Sequence, residues 1–301
     1  MASANGLSRV AVVNRVKANV VSYMFMLPVL IFFLGFVVLP MAMGVVTSFT
    51  NSNMGGSEFV GFQNYIRLFQ DKNFIKSAWT TVVIVLVAVP TVTFFSLWVG
   101  TAIYQMKSFS RSFFRCVFYL PVVTGSVAVV VVWKWMFDVY NGLFNYGLKA
   151  MNMAPVNWLG DSRTALMCII LILFTTSIGQ PIVLYVSALG NVDVSLVEAA
   201  EVDGATKLQT FWRIKWAAIM PTTLYVMVIT TINSFQCFAL IQLLTSGGPN
   251  YATSTVMYLL YETAFKRYQY GYADAMGVVL AIVIAIFSAV QFKVMNGGKA
   301  E

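Results

Sequence analysis

The segment TVVIVLVAVPTVTFFSLWVGTAIY, residues 81–104, contains no charged residue. About 20 mainly apolar residues in a helix are enough to cross the roughly 30 Å hydrocarbon core of a bilayer. Because that core holds no water, backbone N–H and C=O groups must bond within the segment, as they do in a helix. The segment therefore predicts a membrane-spanning helix.

Further charge-free runs precede and follow this segment, which itself lies in the run 77–106. They cover residues 18–57, 116–133, 164–192, 216–261 and 275–292. The run 216–261 is too long for one span, and its polar stretch TSGGPNYATST indicates that the fifth span ends near Leu244. The pattern predicts an all-α polytopic membrane protein, with six transmembrane helices in one domain over residues 20–292.

The composition agrees with this fold class. Of the 301 residues, 59% are hydrophobic and only 10% are charged, and the mean hydropathy is +0.79. Soluble domains carry about 25% charged residues, so a soluble or disordered chain is excluded. Three cysteines provide no disulfide framework. We interpret the net charge of +8 as a topology signal and not as a nucleic-acid-binding surface.

Lysine and arginine also predict the orientation, because cytoplasmic loops carry an excess of both residues. The amino-terminal tail, residues 1–19, and the loop 107–115 each hold three basic residues and no acid. We therefore expect both of these segments, and the carboxy-terminal tail 293–301, on the cytoplasmic side.

The connection between spans four and five, residues 191–216, predicts a helical hairpin on the same side. Ser195 and Glu198 have the spacing of a capping box, and Thr206 and Gln209 repeat it. The Asp203–Gly204 pair between them predicts the turn, since glycine suits the left-handed position after a helix. The second helix places Leu208, Phe211 and Trp212 on one face.

This hairpin resembles the EAA loop of bacterial ABC-importer permeases, because Glu198-Ala199-Ala200 is followed at the family's spacing by Gly204 and Ile214. The resemblance implies a cytoplasmic coupling helix that seats in a cleft of an ATPase subunit. The family's leucine–proline pair after the isoleucine is missing here, and a proline appears only at Pro221. The residues that would contact the ATPase subunit are Glu198, Ala199, Ala200, Asp203, Gly204, Ala205, Leu208, Phe211 and Ile214.

Three other segments resemble permeases of carbohydrate importers of the maltose-transporter type: FVGFQNYIRLF (59–69), NWLGDSRTAL (157–166) and the stretch 245–276. The resemblance implies a permease subunit in the bacterial cytoplasmic membrane that works by alternating access. Its implied partners are a second homologous permease, two ATPase subunits that use ATP and Mg, an extracellular solute-binding protein and membrane lipid.

The chain lacks the residues of an enzyme. It contains no histidine and no G-x-x-x-x-G-K-[ST] phosphate loop, and no acidic cluster has the spacing of metal ligands. We therefore expect no catalytic residue, metal or cofactor in this chain, and ATP hydrolysis in a separate subunit.

Uncharged polar residues inside the predicted spans are candidates for a solute path. Thr230, Asn233 and Gln236 recur every three residues on span five, with Phe235 beside them, and Gln180 lies on span four. Amides and hydroxyls can bond sugar hydroxyls, and an aromatic ring can stack on a sugar. The same groups could instead join neighbouring helices, where such bonds contribute about 0.6 kcal/mol each.

The spans lack ionisable groups at depth, which argues against an ion-coupled carrier and favours a neutral solute. Two alternatives stay open at this point. One is an importer permease for another solute, such as a glycerol phosphate. The other is a self-sufficient channel or carrier with an amphipathic cytoplasmic hairpin.

Overall fold

A computed structural model describes residue 20 and residues 22–296. The expected tail 1–19 and the last five residues of the expected tail 293–301 lie outside the described residues. In chain order the elements are α1 (Ser22–Thr47), β1 (Thr50–Asn53), β2 (Gly56–Phe59), α2 (Gln63–Gln70), α3 (Lys72–Tyr104), α4 (Ser108–Val123), α5 (Ser126–Met136), α6 (Leu143–Ala150), α7 (Ala165–Gly190), α8 (Val194–Val202), α9 (Lys207–Phe235), α10 (Ala239–Leu244), α11 (Val256–Tyr261) and α12 (Tyr270–Asn296).

Among the described residues, five helices are long and apolar enough to cross a membrane: α1, α3, α7, α9 and α12. The pair α4 and α5 passes the same criteria together, so that the total is six when the pair counts as one span. The prediction of an all-α polytopic membrane protein is confirmed. The only strands in residues 22–296 are β1 and β2, which form a short antiparallel hairpin.

The third span, predicted over the run 116–133, is divided by a sharp bend. Helices α4 and α5 meet at an angle of 96°. The backbone is extended at Thr124 and Gly125, with ψ of 127° and 143°. Pro121 lacks an N–H group and leaves the carbonyl of Val117 without its helical donor, so this part of α4 is weakened just before the bend.

The fifth span also ends earlier than predicted. Helix α9 stops at Phe235, and the chain leaves helical geometry over residues 236–238 before α10 begins. The Thr255 hydroxyl donates to the Cys237 carbonyl at 2.9 Å. A polar side chain therefore satisfies a carbonyl that the interrupted helix leaves without a partner.

Helix α3 lies at the centre of the bundle and packs against α7 and α9. Ile84, Ala88 and Val92 form a stripe at four-residue spacing on α3, and all three are fully buried. The stripe joins two hydrophobic clusters, one with buried residues of α5, α7, α10 and α11 and one with buried residues of α7.

Glycines allow the closest helix contacts. A Cβ at Gly179 of α7 would lie 2.3 Å from the Phe118 carbonyl oxygen, and one at Gly100 of α3 would lie 2.8 Å from Tyr185 Cβ. Small residues let membrane helices approach closely where no hydrophobic force acts between them. These two positions therefore fix how near α4 and α3 come to α7.

Helix α1 differs from the other spans because none of its apolar window is buried against the rest of the chain. Only its last turns contact α12. There the Thr47 hydroxyl is hydrogen-bonded to the Asp274 carboxylate, and Gly271 packs against the Thr50 carbonyl. The long face of α1 is consequently left for lipid or for another protein.

We predict that Gly179→Ala lowers the thermal stability of the purified protein, because the new methyl group must displace the Phe118 backbone. Overpacking of this kind costs about 1–3 kcal/mol. Gly147→Ala is the matched control, since nothing lies within 4 Å of a Cβ there. Equal unfolding temperatures for the two variants would contradict the close contact between α4 and α7.

Candidate functional site

The hairpin between α7 and α9 begins with an aspartate cap. The Ser195 N–H donates to Asp193 Oδ1 at 2.9 Å, which makes Asp193 the N-cap of α8. The predicted capping box of Ser195 and Glu198 is wrong, because Ser195 already lies inside the helix that Asp193 starts. Hydrogen bonds from the Ser195 hydroxyl and amide hold the pKa of Asp193 below its ordinary value.

The turn has the geometry that the sequence predicts. Gly204 has a φ of +80°, and its N–H donates to the Glu201 carbonyl at 3.1 Å. The Ala205 N–H donates to the Ala200 carbonyl at 2.9 Å. These two bonds form a Schellman motif, which ends α8 and turns the chain back.

The second capping box is confirmed. The Gln209 N–H donates to the Thr206 hydroxyl at 3.3 Å, and the Thr206 N–H donates to Gln209 Oε1 at 2.8 Å. The helix that starts here was expected to be short. Instead it runs on without a break into the fifth span, through a π-helical turn at Phe211–Lys215, and ends at Phe235.

The nine residues expected to contact a partner lie on this hairpin at different depths. Five are exposed: Glu198, Ala199, Asp203, Gly204 and Leu208. Four are half-buried: Ala200, Ala205, Phe211 and Ile214. Val202 and Leu208 are 87% and 68% exposed. The tip of the hairpin is thus a surface of small, apolar and acidic residues that no described part of the chain covers.

Aromatic contacts fasten the base of the hairpin to the bundle. The Lys215 ammonium lies 5.1 Å from the centre of the Tyr104 ring, at the end of α3. Trp216 packs against a buried cluster that includes Tyr185 and Leu189 of α7. The base is therefore anchored, while the tip projects from the end of the bundle.

A cavity of about 150 Å³ lies between α7 and α9. Its lining brings together Gln180 from α7 with Thr230 and Asn233 from α9, three of the residues that the sequence singled out. Tyr225 also lines the cavity, and sequence reasoning missed it. The signal was available, because Tyr225, Ile229 and Asn233 are four residues apart on one helix and therefore share a face.

A second cavity of about 370 Å³ adjoins the first, and the two share Val122 and Thr176. Gln236 lines this second cavity, at the break after α9. Phe235 lines neither of them. It is only 1% exposed, and its ring packs edge-on against Phe287 at 5.3 Å. Phe235 therefore belongs to the core between α9 and α12 and is removed from the solute path.

The two cavities offer neutral hydrogen-bonding groups: amides of Gln180, Asn233 and Gln236, hydroxyls, and the Tyr225 phenol. Their linings contain no charged residue. Pro181 adds an acceptor, because its missing N–H leaves the Ser177 carbonyl beside the first cavity without a helical donor. This chemistry suits an uncharged ligand rich in hydroxyl groups.

Comparisons with known proteins agree with this architecture. The family described as binding-protein-dependent transport system inner membrane component matches residues 69–295. The multiple sugar-binding transport system permease protein MsmF of Streptococcus mutans serotype c is 33% identical over 262 residues, which are 84% of this chain and 88% of that protein.

Two solved structures share the fold. One is a bacterial ABC transporter involved in the import of the acidic polysaccharide alginate, with a TM-score of 0.81 at 24% identity over 95% of this chain and 98% of that chain. The other is a bacterial alginate ABC transporter in complex with an alginate pentasaccharide-bound periplasmic protein, with a TM-score of 0.80 at 24% identity over 94% and 96%.

We predict that Asp193→Ala speeds deuterium uptake over residues 194–202, because the first turn of α8 loses its cap. Glu198→Ala is the control and should leave the uptake in that turn unchanged. The charged Asp193 carboxylate stabilises the first turn of α8. Since the pKa of Asp193 is lowered, this stabilisation is complete above the ordinary pKa of 3.8 and is lost only as the pH falls through the lowered pKa. Uptake corrected for intrinsic exchange should therefore not change between pH 6 and 8.

Proposed function

Because the chain belongs to the family of binding-protein-dependent transport system inner membrane components, we propose that it is the permease subunit of an ATP-driven importer for a sugar or a similar neutral solute. It is a multi-pass membrane transport subunit and not an enzyme. The observation that carries the proposal is the neutral polar cavity on α9, the same helix that continues into the exposed hairpin.

The importer that we propose contains this chain, a second homologous permease and two ATPase subunits, which use ATP and Mg. An extracellular solute-binding protein delivers the solute. Family membership supports this partner, and so does the solved alginate transporter, which was captured with a periplasmic protein. The complex lies in the bacterial cytoplasmic membrane, with the hairpin and both termini of this chain on the cytoplasmic side.

The solute path in this proposal runs along the face of α7 and α9 that carries Gln180, Thr230 and Asn233, and continues to Gln236. A cavity of about 150 Å³ in one chain is one side of such a path. The second permease supplies the other side. Asn233 and Gln236 are exposed on this face, which leaves their amides available to a solute or to the partner chain.

Coupling in this proposal uses the continuity of α9. ATP-driven closure of the ATPase subunits displaces the hairpin tip around Glu198 and Gly204. Since Lys207–Phe235 is one helix, the displacement reaches Thr230 and Asn233 without crossing a flexible joint. The outward opening of the path is thereby exchanged for an inward one.

The structure and the family membership do not support equally the two alternatives that the sequence left open. Membership of the family removes the self-sufficient channel or carrier. A permease for a glycerol phosphate would need to balance the phosphate charge, yet neither cavity is lined by a cation. The neutral lining therefore favours a sugar, and uptake assays with both solute classes separate the two.

We predict that Gly204→Asp leaves the chain inserted and paired with the second permease but weakens its contact with the ATPase subunits. The added carboxylate projects from the turn at the tip of the hairpin. Intact-complex mass spectrometry after gentle solubilisation should find two ATPase copies with the wild type and fewer with the variant, and solute uptake should fall in parallel.

Asn191→Asp is the matched control, because it adds one negative charge on the same side, before α8 begins. Normal uptake by Gly204→Asp at normal expression would contradict the coupling role of the hairpin. A wild-type chain found alone, or only with copies of itself, would contradict the proposed function.

A second prediction concerns the path. Asn233→Ala should raise the KM of uptake by about 2- to 12-fold, the equivalent of one lost hydrogen bond of about 0.5–1.5 kcal/mol. Gln105→Ala, on an exposed residue after α3, should leave the KM unchanged. An unchanged KM in Asn233→Ala would remove this residue from the solute path.

A further inference from the structure

A large apolar groove lies on the outside of the bundle, between α3 and the start of α7. It has a volume of about 830 Å³ and is lined by residues between 83 and 95 of α3 and between 162 and 174 of α7 and the segment before it. We call it the lateral groove. Its lining shares no residue with that of either polar cavity.

The length of the lateral groove matches one leaflet of a bilayer. From residue 83 to residue 95 of α3 there are twelve steps, which rise about 18 Å at 1.5 Å per residue. Half of a hydrocarbon core of roughly 30 Å is about 15 Å. The inner end is closed by Phe95 and Phe174, whose rings meet edge-on at 5.1 Å. The groove thus begins near one membrane surface and stops near the midplane.

The opposite end of the groove is polar and basic. Arg163 and Ser162 line it there, both are exposed, and within residues 22–296 the Arg163 guanidinium makes no hydrogen bond or ion pair. Only the Arg163 backbone N–H is engaged, since it donates to Asp161 Oδ1 at 2.9 Å. The geometry therefore places an unpaired cation at the mouth of an apolar slot.

A polar pocket of about 480 Å³ adjoins this mouth, because Ser162 lines both spaces. The pocket contains one acid, Asp161, and one base, Lys76, which balance each other in charge. Lys76 also donates to the Asn250 carbonyl at 2.5 Å. Asn157 and Ser162 add neutral polar groups, as a hydroxylated headgroup requires.

We propose that the lateral groove binds one anionic phospholipid in the leaflet opposite the hairpin. The acyl chains lie in the groove above Phe95 and Phe174, the phosphate pairs with Arg163, and the headgroup occupies the polar pocket. This site is separate from the solute path, so the proposal does not depend on which solute is carried.

A transmembrane helix of a second permease is the competing occupant. A first span like α1 is a natural candidate for comparison, because none of the apolar window of α1 is buried against the described part of its own chain. However, residues 18–57 carry no charge at all. A helix of that composition would leave Arg163 without a counterion at the mouth of the groove, whereas a phosphate supplies one.

The test uses the whole importer complex, stripped of lipid and titrated with phosphatidylglycerol or phosphatidylcholine, with bound lipids counted by intact-complex mass spectrometry. One basic residue near a membrane surface favours an anionic lipid by about fivefold. We expect this preference for phosphatidylglycerol in the wild type and its loss in Arg163→Gln. Lys149→Gln is the matched control, since Lys149 is exposed at the same end of the bundle and lines no part of the groove.

Val87→Trp provides a second variant, because it fills the groove and leaves Arg163 in place. We expect it to reduce binding of both lipids while the subunit composition stays intact. An unchanged lipid preference in Arg163→Gln would overturn the proposal. Loss of the second permease in Val87→Trp, with lipid binding unchanged, would also overturn it and assign the groove to a helix.

Discussion

The need to satisfy backbone hydrogen bonds without water governs this structure. Where the chain crosses the hydrocarbon it is helical, and where a helix is interrupted a polar side chain is close by. The break after α9 shows the principle, because the Thr255 hydroxyl bonds the Cys237 carbonyl. The same loop is held by a bond between the Ser77 and Ser254 hydroxyls at 2.9 Å, both fully buried. The irregular segment is thus tolerated because the protein, and not water, supplies its partners.

The same constraint explains how the hairpin and the cavity are connected. A membrane helix keeps its backbone bonds along its whole length, so it moves as a rod more readily than it bends. Helix α9 keeps its course from Lys207 to Phe235 despite the π-helical turn at Phe211–Lys215 and the proline at position 221. Although the leucine–proline pair of the family pattern is missing here, one continuous helix still joins the hairpin to the span.

The sequence predicted what depends on composition and local chemistry. Long apolar runs indicated the spans, and the Asp203–Gly204 pair indicated the turn, because few residues other than glycine adopt a φ of +80°. Periodicity along α9 singled out Thr230 and Asn233. It could not separate Phe235 from them, since the face that a ring occupies depends on the packing of α12. The sharpness of the bend at Thr124 was not predicted, because a proline such as Pro121 indicates a kink but not its angle. Asp193 was missed because Ser195, two residues later, offered a second cap for the same helix start.

The exposed face of α1 has a consequence for biogenesis. Hydrophobicity inserts this helix into the bilayer, but it gives no further drive to association, because lipid tails are as apolar as protein side chains. The free energy gained when α1 associates with another protein is only the difference between its contacts with protein and its contacts with lipid along that face. A chain made in excess of its neighbours is therefore inserted yet incompletely packed. In the importer that we propose, balanced synthesis of the subunits, rather than membrane insertion, would then limit the number of complete complexes.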